Sequence, residues 1–485
     1  MTGTLTRVEK KNPFKSVWGF FKGVVVDFIK GDAFVKLSAV VMGAGFFRRK
    51  QFVNGVLITL FQAVIIYYTG TFAIHYLSKF GTLGTVEREV VYNPVTMLNE
   101  PNDFDNSFQI LLFSIISIVI LAAAFIVYLR NIRVVRALEV SAREGNKIPS
   151  FIDSLKTFRE ERFHITLLTL PCFGIVLFTI VPLIIMISVA FTNYDQQHMI
   201  PDNLFTWVGI DNFKVLFSGG VASSFSYAFG IILSWTLIWA VAATFTNYFL
   251  GIGLASLINN KQTRLKRMWR TMFIVTIAVP QFVTLLLIRN FFATTGIVNN
   301  IASDLGITEF LGNIGLIPAH TSTIPFLTDI NWARTMVILI NIWIGVPFTM
   351  LIATGVLMNI PKELYESARI DGAGPVKQFT KITMPYMLFV TAPFLVTQVV
   401  HNINNFNVIY LLTDDVFQTR DMALANVDAQ EIDLLITWLY RLTQGRYDYK
   451  MASVIGIMVF IVCAVFTLVA FNVVIGRNKE DKFQL

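Results

Sequence analysis

Long apolar stretches alternate with short polar segments along the chain, and their lengths determine the predicted fold. A helix rises about 1.5 Å per residue, so about 20 apolar residues are needed to cross roughly 30 Å of hydrocarbon. Eight stretches meet this requirement: 52–78, 108–129, 165–191, 228–257, 271–292, 333–357, 386–411 and 452–476. The pattern predicts an all-α integral membrane protein with eight transmembrane helices.

The composition agrees with a membrane location. Of the 485 residues, 55% are hydrophobic and only 14% are charged, and the mean hydropathy is +0.63. Soluble domains carry about a quarter of charged residues, so this chain falls outside their range.

Basic residues are concentrated in alternate connecting segments. Five segments hold 30 of the 39 Lys and Arg residues, whereas 293–332 holds none. The five are 1–50, 130–164, 258–270, 358–385 and 477–485. Because cytoplasmic loops carry the excess of Lys and Arg, we expect both termini in the cytoplasm. The net charge of +8 then reflects topology, and no nucleic-acid partner is expected.

The same pattern divides the chain into regions. The apolar pieces within 14–46 are too short to span, so helices lying at the membrane surface are expected there. The predicted regions are a cytoplasmic N-terminal region with such interfacial helices (1–51), two accessory transmembrane helices (52–129), a cytoplasmic segment (130–164), a six-helix transmembrane domain (165–476) and a cytoplasmic tail (477–485).

Four prolines fall inside predicted spans: Pro182, Pro280, Pro347 and Pro393. Each frees a backbone carbonyl that a neighbouring group must satisfy. We interpret them as a sign of a helix bundle that surrounds a cavity.

A charged hairpin, 361–385, interrupts the apolar pattern between the sixth and seventh spans. Pro361 suits the first turn of a helix, Gly372 can end that helix in a left-handed cap, and Pro375 can open the next. Small residues surround the turn: Ser367, Ala368, Gly372, Ala373 and Gly374. Small side chains let another backbone approach closely. The pattern fits either a solvated hairpin or a surface that docks on a cytoplasmic protein.

Polar residues recur on one face of the sixth predicted span and on one face of the seventh. By helical spacing the two sets are Asn341, Gly345 and Phe348, and Gln398, Asn402 and Asn405. Amides in a bilayer are costly unless paired, so they indicate a polar cavity or hydrogen bonds between helices. Amides beside an aromatic ring suit a neutral polyhydroxylated ligand, whose hydroxyls both donate and accept.

Motifs for chemistry are missing from the sequence. There is no GxxxxGK[ST] phosphate loop, so we expect no ATP hydrolysis by this chain. There is no HExxH motif, the five histidines are scattered, and acidic residues are nearly absent from the spans. We therefore expect neither a metal site nor a catalytic centre.

The hairpin sequence ESARIDGAGPVKQFTKITMP resembles the EAA loop of ABC importer permeases. Glu366, Ala368, Gly372, Ile382 and Pro385 fall in register with that pattern, while Ser367 and Met384 stand in place of Ala and Leu. The resemblance implies a coupling helix that sits in a cleft of an ATPase subunit. It places six residues at that contact: Glu366, Ser367, Ala368, Asp371, Gly372 and Ala373.

The resemblance extends to permeases of carbohydrate importers of the maltose and maltodextrin type. AFTNYD (Ala190–Asp195) and WVGIDNF (Trp207–Phe213) are similar to the family's segment after the third span. The implied fold is a type I ABC importer permease core in spans three to eight, preceded by two extra spans.

The family resemblance also implies a sugar site. Asn341, Gly345, Asn402 and Asn405 match positions that line it, Phe348 stands where the family has Tyr, and His401 stands where it has Phe. Together with Gln398, these residues form the predicted substrate-binding set.

The implied function is that of the permease subunit of an ATP-driven importer, which moves maltose or maltodextrin-type oligosaccharides by alternating access. The implied partners are a second homologous permease, two copies of a cytoplasmic ATPase and an extracytoplasmic sugar-binding protein. ATP and Mg would be bound by the ATPase, with no cofactor in this chain. The implied location is the bacterial cytoplasmic (inner) membrane.

Other functions stay open at this stage. A permease of the same architecture could carry another sugar or polyol, or a glycerol phosphate. A phosphate ligand would need a cation in the cavity, and the sixth and seventh spans hold none beyond Arg334 at an edge. A self-sufficient secondary sugar carrier predicts transport by this chain alone. An intramembrane enzyme has no candidate dyad.

Overall fold

The computed structural model describes residues 13–146, 148–218, 224–260, 262–318 and 321–477. The chain forms two compact units, Met1–Trp207 and Val208–Leu485, and each is described by itself. This division lies inside the predicted six-helix domain, whose boundaries stay predictions.

The first unit contains nine helices among its described residues. They are α1 (Pro13–Lys30), α2 (Ala33–Leu37), α3 (Ala44–Arg48), α4 (Phe52–Tyr68), α5 (Ile74–Lys79), α6 (Ser107–Arg143), α7 (Phe151–Arg159), α8 (Phe163–Ile175) and α9 (Val181–Val189). A π-helical turn joins α4 to α5, and another joins α8 to α9, so each pair is continuous.

The N-terminal helices of this unit pack against the C-terminal half of α6. Val35 of α2 and Val135 of α6 are fully buried in a shared apolar cluster. Glu139 of α6 is 2% exposed and forms ion pairs with Arg136 and Arg143. The helices expected within 14–46 are present, and their location at the membrane surface stays a prediction.

A small β-hairpin between α5 and α6 departs from a purely helical fold. Strands β1 (Val90–Asn93) and β2 (Leu98–Pro101) pair antiparallel, with Val90 opposite Pro101. The apolar-stretch pattern could not detect it, since four-residue strands between two spans leave no hydropathy signal.

Asp105 organises the connection around this hairpin. Its carboxylate accepts a hydrogen bond from Lys79 Nζ at 2.6 Å and further bonds from the backbone amides of Thr85 and Val86. Burial raises the pKa of this carboxyl, but the three donors together outweigh burial and hold the pKa below its usual value of 3.8.

The second unit carries the remaining helices that the structure describes. They are α10 (Asp211–Phe217), α11 (Ser224–Asn259), α12 (Lys266–Ala278), α13 (Gln281–Phe291), α14 (Ile297–Asp304), α15 (Ile307–Asn313), α16 (Ile330–Met358), α17 (Lys362–Ile370), α18 (Pro375–Gln378), α19 (Met384–Ile403), α20 (Phe406–Thr413), α21 (Met422–Ala425), α22 (Leu435–Gln444) and α23 (Tyr449–Arg477).

Helix α11 is the centre of the second unit, where it packs along α16 and α19. Trp239 of α11 is fully buried in one apolar cluster with residues of α16 and α20. Tyr248, two and a half turns further along, lies in a second cluster and shares a 2.7 Å hydrogen bond with Thr391 of α19. This packing fixes the positions of the three helices that bear the polar residues described below.

Seven continuous helical segments of the described chain are long and apolar enough to cross a membrane. They are Phe52–Lys79, Ser107–Arg143, Phe163–Val189, Ser224–Asn259, Ile330–Met358, Pro375–Thr413 and Tyr449–Asn472. Helices α12 and α13 qualify only as a pair, and counting that pair as one span gives the predicted eight.

The predicted span 271–292, which contains Pro280, is broken in the structure, because α12 and α13 meet at a bend of 92°. Pro280 lies at the bend, where its missing N–H and fixed φ interrupt the helix. Pro347 and Pro393, by contrast, lie within α16 and α19. Pro182 stands at the start of α9.

Candidate functional site

The second unit contains an open cavity of about 640 Å³. Its wall is built from α11, α16, α19 and the bent segment between α12 and α13. The lining residues are Asn247, Thr276, Ile277, Ala278, Val279, Pro280, Gln281, Thr284, Asn341, Trp343, Ile344, Gly345, Phe348, Phe394, Thr397, Gln398, His401, Asn402 and Asn405.

All seven residues of the predicted substrate set lie on this wall. Asn341, Gly345 and Phe348 project from α16, Gln398, His401 and Asn402 from α19, and Asn405 precedes α20. The helical spacing thus placed each set on the face that borders one cavity. That these residues bind a substrate stays a prediction.

Two of the amides also support the fold. Asn402 is 2% exposed, and its Nδ2 donates to Thr244 Oγ1 at 2.9 Å. Its backbone carbonyl accepts a hydrogen bond from Trp239 Nε1 at 3.1 Å. Asn405 caps α20, because its side-chain oxygen accepts from the amide of Val408. The alternative of hydrogen bonding between helices is therefore part of the role of Asn402.

Two other buried amides on the wall are incompletely satisfied. Asn341 Nδ2 and Asn247 Oδ1 have no hydrogen-bond partner among the residues that the structure describes. Sequence reasoning missed Asn247, which lies in the apolar middle of helix α11. The available signal was an amide flanked by aromatic residues in TFTNYF, and that signal does not reveal which helix it faces.

Aromatic rings form the apolar part of the wall. Phe348, which was predicted, lies 6.3 Å from Phe394 between ring centroids. Trp343, one turn earlier on α16, is half exposed. Phe394 and Trp343 had not been singled out because apolar residues are expected throughout a membrane span.

The lining carries no Lys, Arg, Asp or Glu among the described residues, and His401 is its one imidazole. Arg334, the cation noted at the edge of the sixth span, does not line the cavity. Its guanidinium lies 4.6 Å from the ring centroid of Trp235 and donates to the carbonyl of Glu431 at 2.7 Å. An uncharged, hydroxyl-rich molecule matches such a wall better than an anion does.

The charged hairpin has the turn that its sequence predicts. Gly372 adopts φ +74°, and the amide of Ala373 donates to the carbonyl of Ala368 at 2.8 Å, which closes the end of α17. Pro375 opens α18 as expected. Pro361, however, precedes α17 at its N-cap and does not lie in the first turn.

Tyr365 anchors the hairpin to the start of the following span. Its hydroxyl is 2.8 Å from Thr383 Oγ1, and this contact holds α17 against the π-helical turn before α19. Ala368, three residues further along α17, is half-buried, whereas Leu364 is exposed.

The hairpin exposes two apolar side chains. Ile370 is 87% exposed and Val376 is 77% exposed. Of the predicted coupling residues, Ala368 and Ala373 are half-buried and four are exposed: Glu366, Ser367, Asp371 and Gly372. These residues are therefore accessible to a partner protein.

No group of three or more His, Cys, Asp or Glu side chains comes together as a metal site anywhere in the described ranges. The site as described consists of amide, hydroxyl, imidazole and aromatic groups. These can bind and orient a ligand by hydrogen bonds and ring contacts.

Residues 247–478 match the family model described as "Binding-protein-dependent transport system inner membrane component". The maltodextrin transport system permease protein MalC of Streptococcus pneumoniae serotype 4 is 32% identical over 449 residues, which cover 92% of this chain and 96% of that protein. The galactooligosaccharides transport system permease protein GanP of Bacillus subtilis strain 168 is 31% identical over 431 residues, or 87% of this chain and 93% of that protein.

A solved structure supports the same architecture. A chain in the crystal structure of a bacterial ABC transporter involved in the import of the acidic polysaccharide alginate aligns with a TM-score of 0.51 and 24% identity. The alignment covers 67% of this chain and 99% of that one. At this identity the similarity establishes a shared fold.

Proposed function

This chain belongs to the family of binding-protein-dependent transport system inner membrane components, as a sugar ABC permease of the maltose type, and we propose that its cargo is a neutral oligosaccharide of the maltose and maltodextrin class. The resemblance found in the sequence is confirmed, as are the type I permease core and the role of a non-catalytic transport subunit. The chain is a multi-pass membrane protein.

The observation that carries the cargo proposal is the cavity on α11, α16 and α19. It collects amide groups and aromatic rings, and its described lining holds no charged side chain except for His401 when protonated. Sugars without charge need donors, acceptors and flat apolar surfaces, and the wall offers all three. A carboxylated sugar or a phosphate would enter this site without a cation to pair with.

We further propose that Asn341, Gly345, Phe348, Gln398, His401, Asn402 and Asn405 contact the sugar. The aromatic pair Phe348 and Phe394 would take the apolar face of a ring, while the amides take hydroxyls. Asn402 is held by Thr244, so its orientation is fixed before ligand enters. A cavity of about 640 Å³ has the volume typical of small-ligand sites.

The proposed partners are a second homologous permease, two copies of an ATPase that binds ATP and Mg, and an extracytoplasmic sugar-binding protein. The hairpin 361–385 would dock on the ATPase through Glu366, Ser367, Ala368, Asp371, Gly372 and Ala373, with Ile370 at the centre of the exposed surface. Closure of the ATPases would move the hairpin and, through Tyr365 and Thr383, the span that begins with α19.

The proposed location is the bacterial cytoplasmic membrane with both termini in the cytoplasm. The distribution of Lys and Arg supports this orientation, because it places the docking hairpin on the same side as ATP.

A reconstituted transport assay tests the function. The chain is purified with its co-purifying subunits, placed in liposomes, and supplied with ATP and the binding protein. We expect ATP-dependent uptake of labelled maltotriose. An excess of unlabelled galactooligosaccharide should inhibit this uptake only weakly. Uptake by this chain alone without ATP would instead establish a secondary carrier, and preference for galactooligosaccharide would assign a different sugar class.

A further inference from the structure

Asn247 of α11 borders the cavity and is not among the residues that the sequence singled out. It is 6% exposed, and its side-chain oxygen has no hydrogen-bond partner within the described part of the chain. Asn341 of α16 is 5% exposed, and its side-chain nitrogen is likewise without a partner there. Both residues line the same cavity.

The two orphan atoms are opposite in character. Asn247 Oδ1 accepts hydrogen bonds, and Asn341 Nδ2 donates them. Leaving such groups unpaired away from water is costly, and a buried unpaired polar atom in a native structure calls for an explanation. A single hydroxyl group can satisfy both, because it donates one hydrogen bond and accepts others. A carboxylate can only accept and an ammonium can only donate, so neither can complete the pair.

Gly345 explains why Asn247 can occupy this place. A Cβ atom at position 345 would lie 2.2 Å from Asn247 Nδ2 and 2.7 Å from its Cγ, so any larger residue would displace the amide. Asn341 lies one turn before Gly345 on α16. The glycine therefore creates the space in which an amide from α11 reaches the wall beside an amide from α16.

Neighbouring atoms cover both orphan atoms in this conformation. The terminal torsion of an Asn side chain is soft, so the amide groups can turn toward the cavity at small cost. A sugar hydroxyl in the cavity can then accept from Asn341 Nδ2 and donate to Asn247 Oδ1.

We propose that Asn247 and Asn341 form a donor–acceptor pair that binds one hydroxyl of the transported sugar, an inference that rests on the proposed function. Asn247 is the specificity-determining residue added by the structure. It selects for a ligand that carries a hydroxyl at one defined ring position, and Gly345 acts by positioning it.

A cycle that combines side-chain and ligand deletions tests the pair. Competition by maltose and each of its monodeoxy derivatives is measured against labelled maltotriose in the reconstituted complex, for the wild type, Asn247→Leu and Asn341→Leu. In the wild type, we expect one deoxy position to weaken competition about tenfold or more, as loss of a hydroxyl does in a site built to bind it. That same position should lose less than about twofold in either variant, because the partner of the hydroxyl is already gone.

Thr246→Val is the matched control, since the hydroxyl of Thr246 bonds only to the carbonyl of Ala242 in its own helix. It should keep the wild-type pattern across all derivatives. Asn247→Ala, which also removes the amide but adds no bulk, replaces Asn247→Leu if the latter fails to assemble with its partner subunits.

The outcomes distinguish failure of the Asn247–Asn341 pair from failure of the proposed sugar class. A uniform loss with every derivative in Asn247→Leu would overturn the pair and assign Asn247 a packing or water-binding role. If the wild-type complex binds no maltose derivative, the proposed sugar class fails before the pair is reached.

Discussion

The side chains of Asn402 and Thr244 are joined by a hydrogen bond of 2.9 Å from Nδ2 to Oγ1. The bond links α19 to α11 at the wall of the cavity, where both residues are buried. Because Thr244 accepts one of the two N–H groups of Asn402 Nδ2, the amide is held in place while its other N–H and its oxygen stay available to a ligand. The same pair therefore supports the fold and prepares the site.

This relationship gives the first prediction, that Asn402→Ala lowers sugar uptake and also reduces stability. Removing a buried hydrogen-bonded amide costs about 1–3 kcal/mol. Thr244→Val should reproduce the loss of stability and weaken sugar binding less, since Asn402 remains but is no longer fixed. Uptake assays and thermal unfolding in detergent measure the two effects separately.

Asn407→Ala serves as the control for that pair of variants. Asn407 is exposed and does not border the cavity, so both uptake and unfolding should stay at wild-type values. Full uptake by Asn402→Ala would exclude this residue from the sugar site.

The second prediction concerns the hairpin turn. Gly372 adopts φ +74°, and a side chain in the left-handed region costs roughly 1–2 kcal/mol. A Cβ there would meet no atom within 4 Å, so the backbone conformation alone requires glycine. We expect Gly372→Ala to lower transport per ATP hydrolysed severalfold.

Gly374→Ala is matched to it, because Gly374 has φ −68° and equally open surroundings. This variant should behave like the wild type. Equal defects in both variants would mean that bulk at the docking surface, and not the turn conformation, is responsible.

The third prediction separates two carboxylates of α17. Glu366 and Glu363 are both exposed, but only Glu366 falls in register with the coupling pattern. Hydrogen bonds to a charged group contribute about 1.5–3 kcal/mol, so Glu366→Gln should weaken ATPase association by about tenfold or more. Glu363→Gln should leave it unchanged. Co-purification and binding measurements with the isolated ATPase give the answer.

The fourth prediction is a pH dependence in the first unit. The pKa of Asp105 lies below its usual value because Lys79 and the amides of Thr85 and Val86 hold the charged form more strongly than burial disfavours it. A depressed carboxyl pKa contributes stability above the unfolded value of 3.8, and that stability is lost as the pH falls through the folded pKa.

The difference in unfolding temperature between the wild type and Asp105→Asn should therefore be constant near pH 6 and shrink below about pH 4. Asp103→Asn, at an exposed neighbour, should follow the wild type throughout. A difference that does not change with pH would show that the charge of Asp105 contributes nothing.

Hydropathy and helix spacing predicted much of this molecule. The spans 52–78 and 333–357 agree with Phe52–Lys79 and Ile330–Met358 to within a few residues, since the requirement to bury backbone polar groups in lipid leaves a strong local signal. The left-handed conformation of Gly372 was also predicted from the sequence, because a helix C-cap depends on residues that are neighbours in the chain.

What the sequence could not supply depends on contacts between distant segments. Pro280 signalled an interrupted helix, but the 92° bend accompanies the packing of α12 against α16 and of α13 against α20. The position of Asn247 at the cavity wall depends on Gly345, which lies opposite it on another helix. A single amide in an apolar helix says nothing about its neighbour.

The bend at Pro280 carries a consequence for attempts to redesign or compare these proteins. A helix that stops leaves its last carbonyls without helical partners, and here the end of α12 borders the cavity. A peptide group offers the same acceptor whatever side chain it bears. Substitutions in the 276–281 segment will alter the shape of the cavity more than the backbone acceptors that it offers. Sequence variation in this segment will therefore understate the contribution of its backbone to ligand binding. Libraries meant to change the cargo should be directed at α16 and α19.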